Sequence, residues 1–241
     1  MVLNRKKIIF ILIICLILVL ICMYKENNNY YKNENSVMTS GTPVSSHKVI
    51  LDAGHRSARS VGAVSSNGVS EESINLSIVL KLQKLLEQSG CTVFLTRSDE
   101  NGIYDLDKKS LKNKKSSDLK NRVKIANSSD AECFISIHLN KIPQSRYYGW
   151  QTFFQKNNEE SKKLAFDIQN NLNFSIQKEN KREILGLSVK YIMDNIKIPT
   201  VIVECGFLSN SDESIQLQKE EYQEKLAWGI YTGIMDYFYN K

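Results

Sequence analysis

From Lys48 to the end of the chain, short apolar runs alternate with amphipathic segments, and this alternation limits the possible folds more than any other feature. The runs typical of strands are Val49–Leu51, Thr92–Leu95, Cys133–Ile137, Trp150–Phe154 and Thr200–Val203. Short, nearly all-apolar runs of this kind are expected in strands that are buried on both faces. The sequence therefore predicts an α/β fold, a three-layer sandwich around a twisted, mostly parallel sheet.

The segments between these runs have the spacing of helices. Helices are predicted at Glu71–Ser89, Asp118–Asn127, Glu159–Leu172 and Glu220–Tyr239. In the first of them Ile74, Ile78 and Leu82 follow one another at steps of four, which aligns them on one face, and Gly90 ends the helix. Residues 189–193 are compatible with a strand or a helix. The polar, lysine-rich residues 98–116 predict a loop.

An uncharged run of seventeen residues, Ile8–Tyr24, lies near the N-terminus. As a helix it would span about 25 Å at about 1.5 Å per residue, just enough for a bilayer core. Arg5, Lys6 and Lys7 precede it, and such a basic flank stays in the cytoplasm. A cleaved signal peptide is the alternative, but no small-residue cleavage site follows the run. We therefore expect residues 1–24 to anchor the chain in the cell membrane as a single pass, with the remainder extracytoplasmic.

Residues 25–46 lack hydrophobic periodicity and are rich in Asn, Ser and Lys. This composition predicts a flexible tether with a root-mean-square reach of about 25 Å. The catalytic domain is then expected at residues 47–241, and His47, at the junction with the tether, is expected to be solvated.

Composition argues against two classes of function. The formal net charge is +6, and residues 1–46 contribute +3 of it from five cations and two anions, so only +3 remains for the other 195 residues. A globular part this close to neutral gives no electrostatic reason to expect nucleic acid as a partner. Cys91, Cys133 and Cys205 lie in or beside strand-like runs without a C-x-x-C pair, which indicates small buried side chains rather than thiol chemistry.

Three of the apolar runs lead into a side chain that can bind a metal or transfer a proton: His55, His138 and Glu204. In open α/β sheets, sites form where loops leave the carboxyl ends of the strands. Two histidines and a carboxylate suit a catalytic zinc ion, and Glu71, at the start of the first helix, is the carboxylate candidate. Glu204 would then be available as the general base.

Each of these residues also has a purely structural interpretation. A single histidine after a strand is commonly a hydrogen-bonded loop residue, and Glu71 would interact favourably with the dipole of its helix. Glu204 is harder to explain in this way, because burying a carboxylate after a strand-like run without a partner is costly.

The motifs around these residues resemble the zinc-dependent N-acetylmuramoyl-L-alanine amidases, the Amidase_3 family. The matching segments, in family order, are Val49–His55, Glu71–Leu76, Thr96–Arg97, Asp118–Leu119 with Arg122, Ala126–Asn127, Ser136–Asn140, Gly149–Phe154 and Pro199–Asn210. The resemblance extends from about Lys48 to Tyr239, and motifs in this order are highly specific.

This resemblance implies that His55, Glu71 and His138 bind Zn²⁺ and that Glu204 is the catalytic glutamate. It also implies an α/β sandwich that hydrolyses the amide between N-acetylmuramic acid and L-alanine in peptidoglycan. Two alternatives remain open. One is a degenerate, non-catalytic peptidoglycan-binding or regulatory module of the same fold, and the other is a zinc carboxypeptidase or endopeptidase acting on the same peptides.

The chain departs from the family pattern in two places. Family members often have Gly-Gly after the first histidine, where this chain has the more basic Arg56–Arg59. Some relatives carry an inhibitory helix after the second histidine, but here only Leu139–Tyr148 intervenes. A short, anchored amidase without accessory domains most resembles the spore-cortex amidases of the CwlD type, which form the muramic-δ-lactam read by germination enzymes. We therefore expect a place on the forespore or cortex side, with control by sporulation timing or an activating protein partner.

Overall fold

The computed structural model describes residues 41–55, 62–65, 68–188 and 190–241. The strands are β1 (Lys48–Ala53), β2 (Thr92–Leu95), β3 (Cys133–Asn140), β4 (Gln151–Gln155), β5 (Leu185–Leu187) and β6 (Thr200–Phe207). The helices are α1 (Glu71–Gln88), α2 (Leu111–Ser128), α3 (Glu159–Ile176), α4 (Tyr191–Asn195), α5 (Ser211–Leu217) and α6 (Glu220–Tyr239). Within these ranges no helix is long and apolar enough to cross a membrane. The predicted anchor, most of the predicted tether and Arg56–Arg59 lie outside the described residues.

The strands form one sheet in the order β2-β1-β3-β6-β4-β5. The four strands β2, β1, β3 and β6 are parallel, β4 is antiparallel to β6, and β5 is parallel to β4. Parallel strands are joined by crossover helices that cover both faces, which explains why β1, β3 and β6 are almost entirely apolar. The predicted α/β architecture with a mostly parallel sheet is confirmed.

Helices lie on both sides of the sheet and divide the core into two clusters. Along β1, successive side chains point to opposite faces, so that Val49 and Leu51 join the larger cluster and Ile50 joins the smaller one. The larger cluster contains residues of α1, α3 and α6, whereas the smaller one contains residues of α2 and α4. The side of the sheet covered by α2 and α4 is therefore the more thinly covered one.

The start of α2 differs most from the sequence prediction. A loop is predicted over residues 98–116 and a helix only from Asp118, but the helix begins at Leu111. Ser110 caps it, because its side-chain oxygen accepts the backbone N–H of Asn113 at 3.2 Å. The first turns are largely exposed and lysine-rich, so they lack the apolar spacing that would identify a helix.

Two short elements, β5 and α5, have no counterpart in the sequence prediction. The three residues of β5 are too few to form a recognisable pattern. The start of α5 is set by Asn210, whose side-chain oxygen accepts the backbone N–H groups of Asp212 and Glu213 at 3.1 Å each. For residues 189–193, where a strand and a helix are both compatible with the sequence, the structure has helix α4 from Tyr191, and Val189 lies outside the described residues.

The folded unit begins at Gly41, ahead of the boundary predicted at residue 47. The side chain of Val44 is fully buried in the larger cluster, which holds the end of the predicted tether against the domain. The expectation of a solvated His47 is wrong. Its ring stacks on Phe238 at 3.9 Å between centroids, and its Nδ1 lies 2.8 Å from Glu132 Oε1.

The cysteines of the folded unit are structural, as predicted. Cys91, Cys133 and Cys205 are all buried and none forms a disulfide. Burial raises the pKa of the Cys91 thiol to about 11. A thiol with so high a pKa is protonated at neutral pH and is a poor nucleophile.

Candidate metal centre and active site

Three of the predicted site residues converge at the carboxyl end of the parallel strands. His55 follows β1, Glu71 is the first residue of α1, and His138 lies in β3. Glu71 Oε1 lies 3.1 Å from His55 Nε2 and 3.2 Å from His138 Nδ1. One donor atom from each residue lies within 4.8 Å of the others. Two imidazoles and a carboxylate at this spacing could hold a metal ion.

The two histidine rings are brought together by the backbone at the end of β1. His55 has a φ of 66°, in the left-handed region that residues other than glycine rarely adopt. The preceding Gly54 leaves room for His138, because a Cβ atom at Gly54 would overlap the His138 ring. The rings consequently stand edge to face with their centroids 4.9 Å apart. Backbone strain of this kind is concentrated at functional sites.

Glu71 is buried and both of its oxygens accept hydrogen bonds. Oε2 accepts the backbone N–H of Ala63 at 2.7 Å, and Oε1 accepts that of Leu139 at 3.0 Å. Burial alone would raise the pKa of Glu71, but hydrogen bonds and charge from His138 and His55 hold that pKa far below its ordinary value. Glu71 is therefore an ionised carboxylate, which is the state a metal ligand requires.

Glu204 lies on β6 in register with His138 on β3. Its side chain is buried, and the Nζ of Lys190 lies 3.7 Å from Oε1. Within the described part of the chain, Glu204 Oε2 has no hydrogen-bond partner. Burial raises the pKa of Glu204, and the charges of His138 and Lys190 oppose this without cancelling it. A carboxylate with a free oxygen and a raised pKa is suited to accept a proton.

The sequence places His138 and Glu204 directly after their strands, but both residues lie inside them. β3 continues to Asn140 and β6 continues to Phe207, and these two residues are partners across the sheet. The register shifts between His138 and Asn140, as in a β-bulge. Bulges of this kind re-aim side chains near active sites, which allows polar groups on paired strands to face the site.

A buried ion-pair network adjoins the candidate metal centre. None of its residues is among the site residues predicted from the sequence. Arg122 on α2 pairs with Asp52 on β1 and, through Nε, with Asp118 at 2.6 Å. Its remaining N–H groups donate to the backbone carbonyl oxygens of His55 at 2.6 Å and Ala53 at 3.0 Å. Arg122 therefore holds the backbone at the end of β1, from Ala53 to His55.

The charged groups of this network stabilise one another. Burial alone would raise the pKa of Asp52, but the Arg122 guanidinium and hydrogen bonds from Ser136 and Thr96 hold that pKa below its ordinary value. One signal in the sequence pointed to the network, namely Asp118 and Arg122 four residues apart on a predicted helix. Their partner on β1 could not be found from spacing alone.

Comparison with known proteins decides the family. The model of the Amidase_3 family, described as N-acetylmuramoyl-L-alanine amidase, matches residues 49–236. The chain belongs to this family. The match includes nearly all of β1 and the whole of α1, β3 and β6, which are the elements that carry the candidate site. The resemblance seen in the sequence motifs is thus confirmed.

Relatives of the amidase are similar along most of their length. The germination-specific N-acetylmuramoyl-L-alanine amidase of Bacillus subtilis (strain 168) is 34% identical over 213 residues, which is 88% of this chain and 88% of the relative. The structure of the CwlD amidase from Clostridioides difficile, in complex with the GerS lipoprotein, is 44% identical with a TM-score of 0.79 and covers 81% of this chain and 100% of that one.

A second solved structure, the N-acetylmuramoyl-L-alanine amidase from Clostridium difficile 630, is 28% identical with a TM-score of 0.71 and covers 81% of this chain and 98% of that one. The predicted enzyme class is confirmed. The chain is an N-acetylmuramoyl-L-alanine amidase, and its substrate is peptidoglycan.

Proposed function

We propose that the amidase is a zinc enzyme in which His55, Glu71 and His138 bind the ion. The observation that carries this proposal is the spacing of 3.1 and 3.2 Å between the Glu71 oxygen and the two ring nitrogens. Ligands of a tetrahedral zinc ion lie about 3.3 Å apart when the bonds are about 2.0–2.1 Å long. Three protein ligands also leave one position open, as catalytic zinc sites require.

The chemistry that zinc supplies when bound is polarisation of the scissile carbonyl and a lower pKa of water at the site. Glu204 acts as the general base, because its unpartnered oxygen can take a proton from the attacking water. The same carboxyl group then gives this proton to the amide nitrogen as the C–N bond breaks, so that L-alanine leaves with a free amine. Arg122 keeps the backbone at His55 in place throughout.

The test is mass spectrometry of muropeptides released from purified peptidoglycan by the full chain in detergent, with and without zinc. We expect stem peptides with a free N-terminal L-alanine, and only in the presence of zinc. Release of the same peptides by the chelated protein would overturn the zinc assignment. Products cut within the peptide would support a carboxypeptidase or endopeptidase, and the absence of any product would support a non-catalytic module.

We further propose that this cleavage contributes to muramic-δ-lactam formation in the spore cortex. The support is the similarity to the germination-specific amidase of Bacillus subtilis, at 34% identity, and to the CwlD amidase, at 44% identity. In a spore-forming host, deletion of the gene should remove muramic-δ-lactam from cortex muropeptides while vegetative peptidoglycan stays unchanged. An unaltered δ-lactam content in the deletion strain would contradict this role.

We also propose that residues 1–24 anchor the amidase in the cell membrane and that a protein partner activates it there. Between β3 and β4 the structure has no helix that could cover the site, so control by such an element is not built into this segment. The related CwlD amidase is in complex with the GerS lipoprotein. Full turnover by the purified chain without any added protein would remove the partner, and full recovery in the soluble fraction would remove the anchor.

A further inference from the structure

A groove leads away from the metal centre between α2 and α4. Its inner end contains His55 and His138 together with Lys115 and Leu119. Its outer part is a cavity of about 230 Å³ that is also lined by Lys115 and Leu119, and by Lys112, Ser116 and Tyr191. The two parts share Lys115 and Leu119, so they adjoin each other, and we call them together the lysine groove.

The charge of the lysine groove is positive. Lys112 and Lys115 are exposed and lie three residues apart on one face of α2. Their side-chain ammonium groups form no ion pair or hydrogen bond with any of the residues that the structure describes. The two carboxylates of the inner part, Asp52 and Asp118, are already paired with Arg122. The lysines therefore have no acid in the groove to neutralise them.

We propose that the lysine groove binds the carboxylates of the stem peptide, which deepens the proposed function by assigning the peptide side of the substrate to this groove. The substrate extends from the scissile amide in two directions. On the sugar side, the lactyl carboxyl is consumed in the amide, so it carries no charge there. On the other side, the peptide carries free carboxylates. Only the peptide side is therefore complementary to two unpaired ammonium groups.

The order of the lining residues agrees with this direction. His55 and His138 line the inner part with Lys115, whereas Lys112 lines only the outer part, so a peptide that leaves the metal centre along the groove would reach Lys115 before Lys112. Leu119 and Tyr191 supply apolar surface along this path for aliphatic parts of the peptide. The lysines are thus specificity-determining residues, and the proton transfer and metal binding do not depend on them.

The test compares two synthetic muramoyl tripeptides, one with free carboxylates and one with the carboxylates converted to amides. With the full chain and zinc, the Lys112→Gln/Lys115→Gln variant should raise KM for the free-carboxylate substrate by about tenfold and leave kcat unchanged. For the amidated substrate, wild type and variant should have the same KM. Lys124→Gln is the matched control, because Lys124 is an exposed lysine of the same helix outside the groove.

Binding of the free tripeptide, which has no scissile amide, separates this inference from the proposed function. If the wild type cleaves neither substrate, the zinc amidase proposal fails, and calorimetric binding of the tripeptide still tests the groove. A lower affinity of the double variant for the tripeptide than that of the wild type, with the difference disappearing at high salt, would support the groove. An equal KM for both substrates in the wild type, or the same effect from Lys124→Gln, would overturn it.

Discussion

Glu71 and Glu204 are two buried carboxylates in one active site, and their surroundings are opposite. Glu71 accepts backbone N–H groups from Ala63 and Leu139 and lies against two histidines. Glu204 has one lysine at 3.7 Å and, among the described residues, an oxygen without any hydrogen bond. The first environment lowers a pKa and the second raises one.

This difference supports the roles proposed for the two carboxylates. Hydrogen bonds stabilise as an anion the group that must stay ionised to bind a metal, whereas the group that must gain and lose a proton keeps one oxygen without a hydrogen bond among the described residues. The two carboxylates also differ in their neighbours. Arg122 holds the backbone carbonyl of His55, which lies against Glu71, whereas among the described residues Arg122 makes no contact with Glu204.

The largest effect is expected from Arg122→Met, which removes the charge that Asp52 and Asp118 share. Leaving a buried carboxylate unpaired should lower the free energy of unfolding by about 3–5 kcal/mol. The measurement is equilibrium unfolding in urea, with Lys124→Met as the control on the exposed side of the same helix. A loss below about 1 kcal/mol would show that the network does not support the metal centre.

The second effect is expected from Glu204→Gln, which keeps the size of the side chain and removes its ability to accept a proton. The turnover of peptidoglycan should fall at least about 10²-fold, equivalent to about 2.7 kcal/mol in the barrier. Zinc content should stay the same, because Glu204 is not one of the proposed ligands. The free energy of unfolding should stay the same or rise slightly, because a buried carboxylate with one oxygen that lacks a hydrogen bond is replaced by a neutral group. Near-normal turnover would contradict the assigned role.

The sequence predicts those strands and helices in which the buried apolar residues recur with the spacing of a strand or of a helix. β1, β3 and β6 are nearly all apolar because both faces of the sheet are covered, and α1 has its apolar residues at steps of four. The start of α2 escapes prediction because its first turns bury almost nothing, and the cap at Ser110 is a local signal that any serine could give. β5 is too short to have a period.

For the candidate site, the sequence identifies the four residues that meet there but not the side chain that supports them. His55, His138, Glu71 and Glu204 stand out because a polar group beside an apolar run needs an explanation, and the structure brings them together. Their roles remain predictions. The contribution of Arg122 to the site could not be inferred, because its partners are backbone carbonyl oxygens and a strand carboxylate far away in sequence, which only the register of the sheet brings into reach.

The third effect is expected from Gly54→Ala, which acts on the contact between the end of β1 and the His138 ring. The added methyl group overlaps ring atoms of His138, so the ring must shift from the position in which its Nδ1 lies 3.2 Å from Glu71 Oε1. Zinc affinity should fall at least about tenfold, or about 1.4 kcal/mol, as for other changes that displace a ligand. Competition with a chromophoric chelator measures this. Unchanged affinity would show that the rings need not be held in this geometry.

The smallest effect comes from Asp167 on α3, outside the site, whose Oδ2 also lacks a hydrogen bond within the described residues. Burial raises the pKa of Asp167, and the neighbouring Asp236 raises it further. Because the folded state holds the proton more tightly than the unfolded state, the ionised group destabilises the protein above its folded pKa. This penalty is lost as the pH falls through that pKa towards the unfolded value.

Asp167→Asn should therefore stabilise the amidase at pH 7 by no more than about 0.5 kcal/mol, since the side chain is partly exposed to solvent. The gain should vanish near pH 3 in parallel urea titrations. Turnover should be unchanged, in contrast to Glu204→Gln. The two variants separate the effect of an unpartnered oxygen from the effect of position in the site. Asp167 and Glu204 both have such an oxygen, but only Glu204 lies beside the metal centre. A loss of turnover in Asp167→Asn would mean that replacing an unpartnered carboxylate outside the site also reduces turnover, so the effect of Glu204→Gln would no longer identify Glu204 as the base.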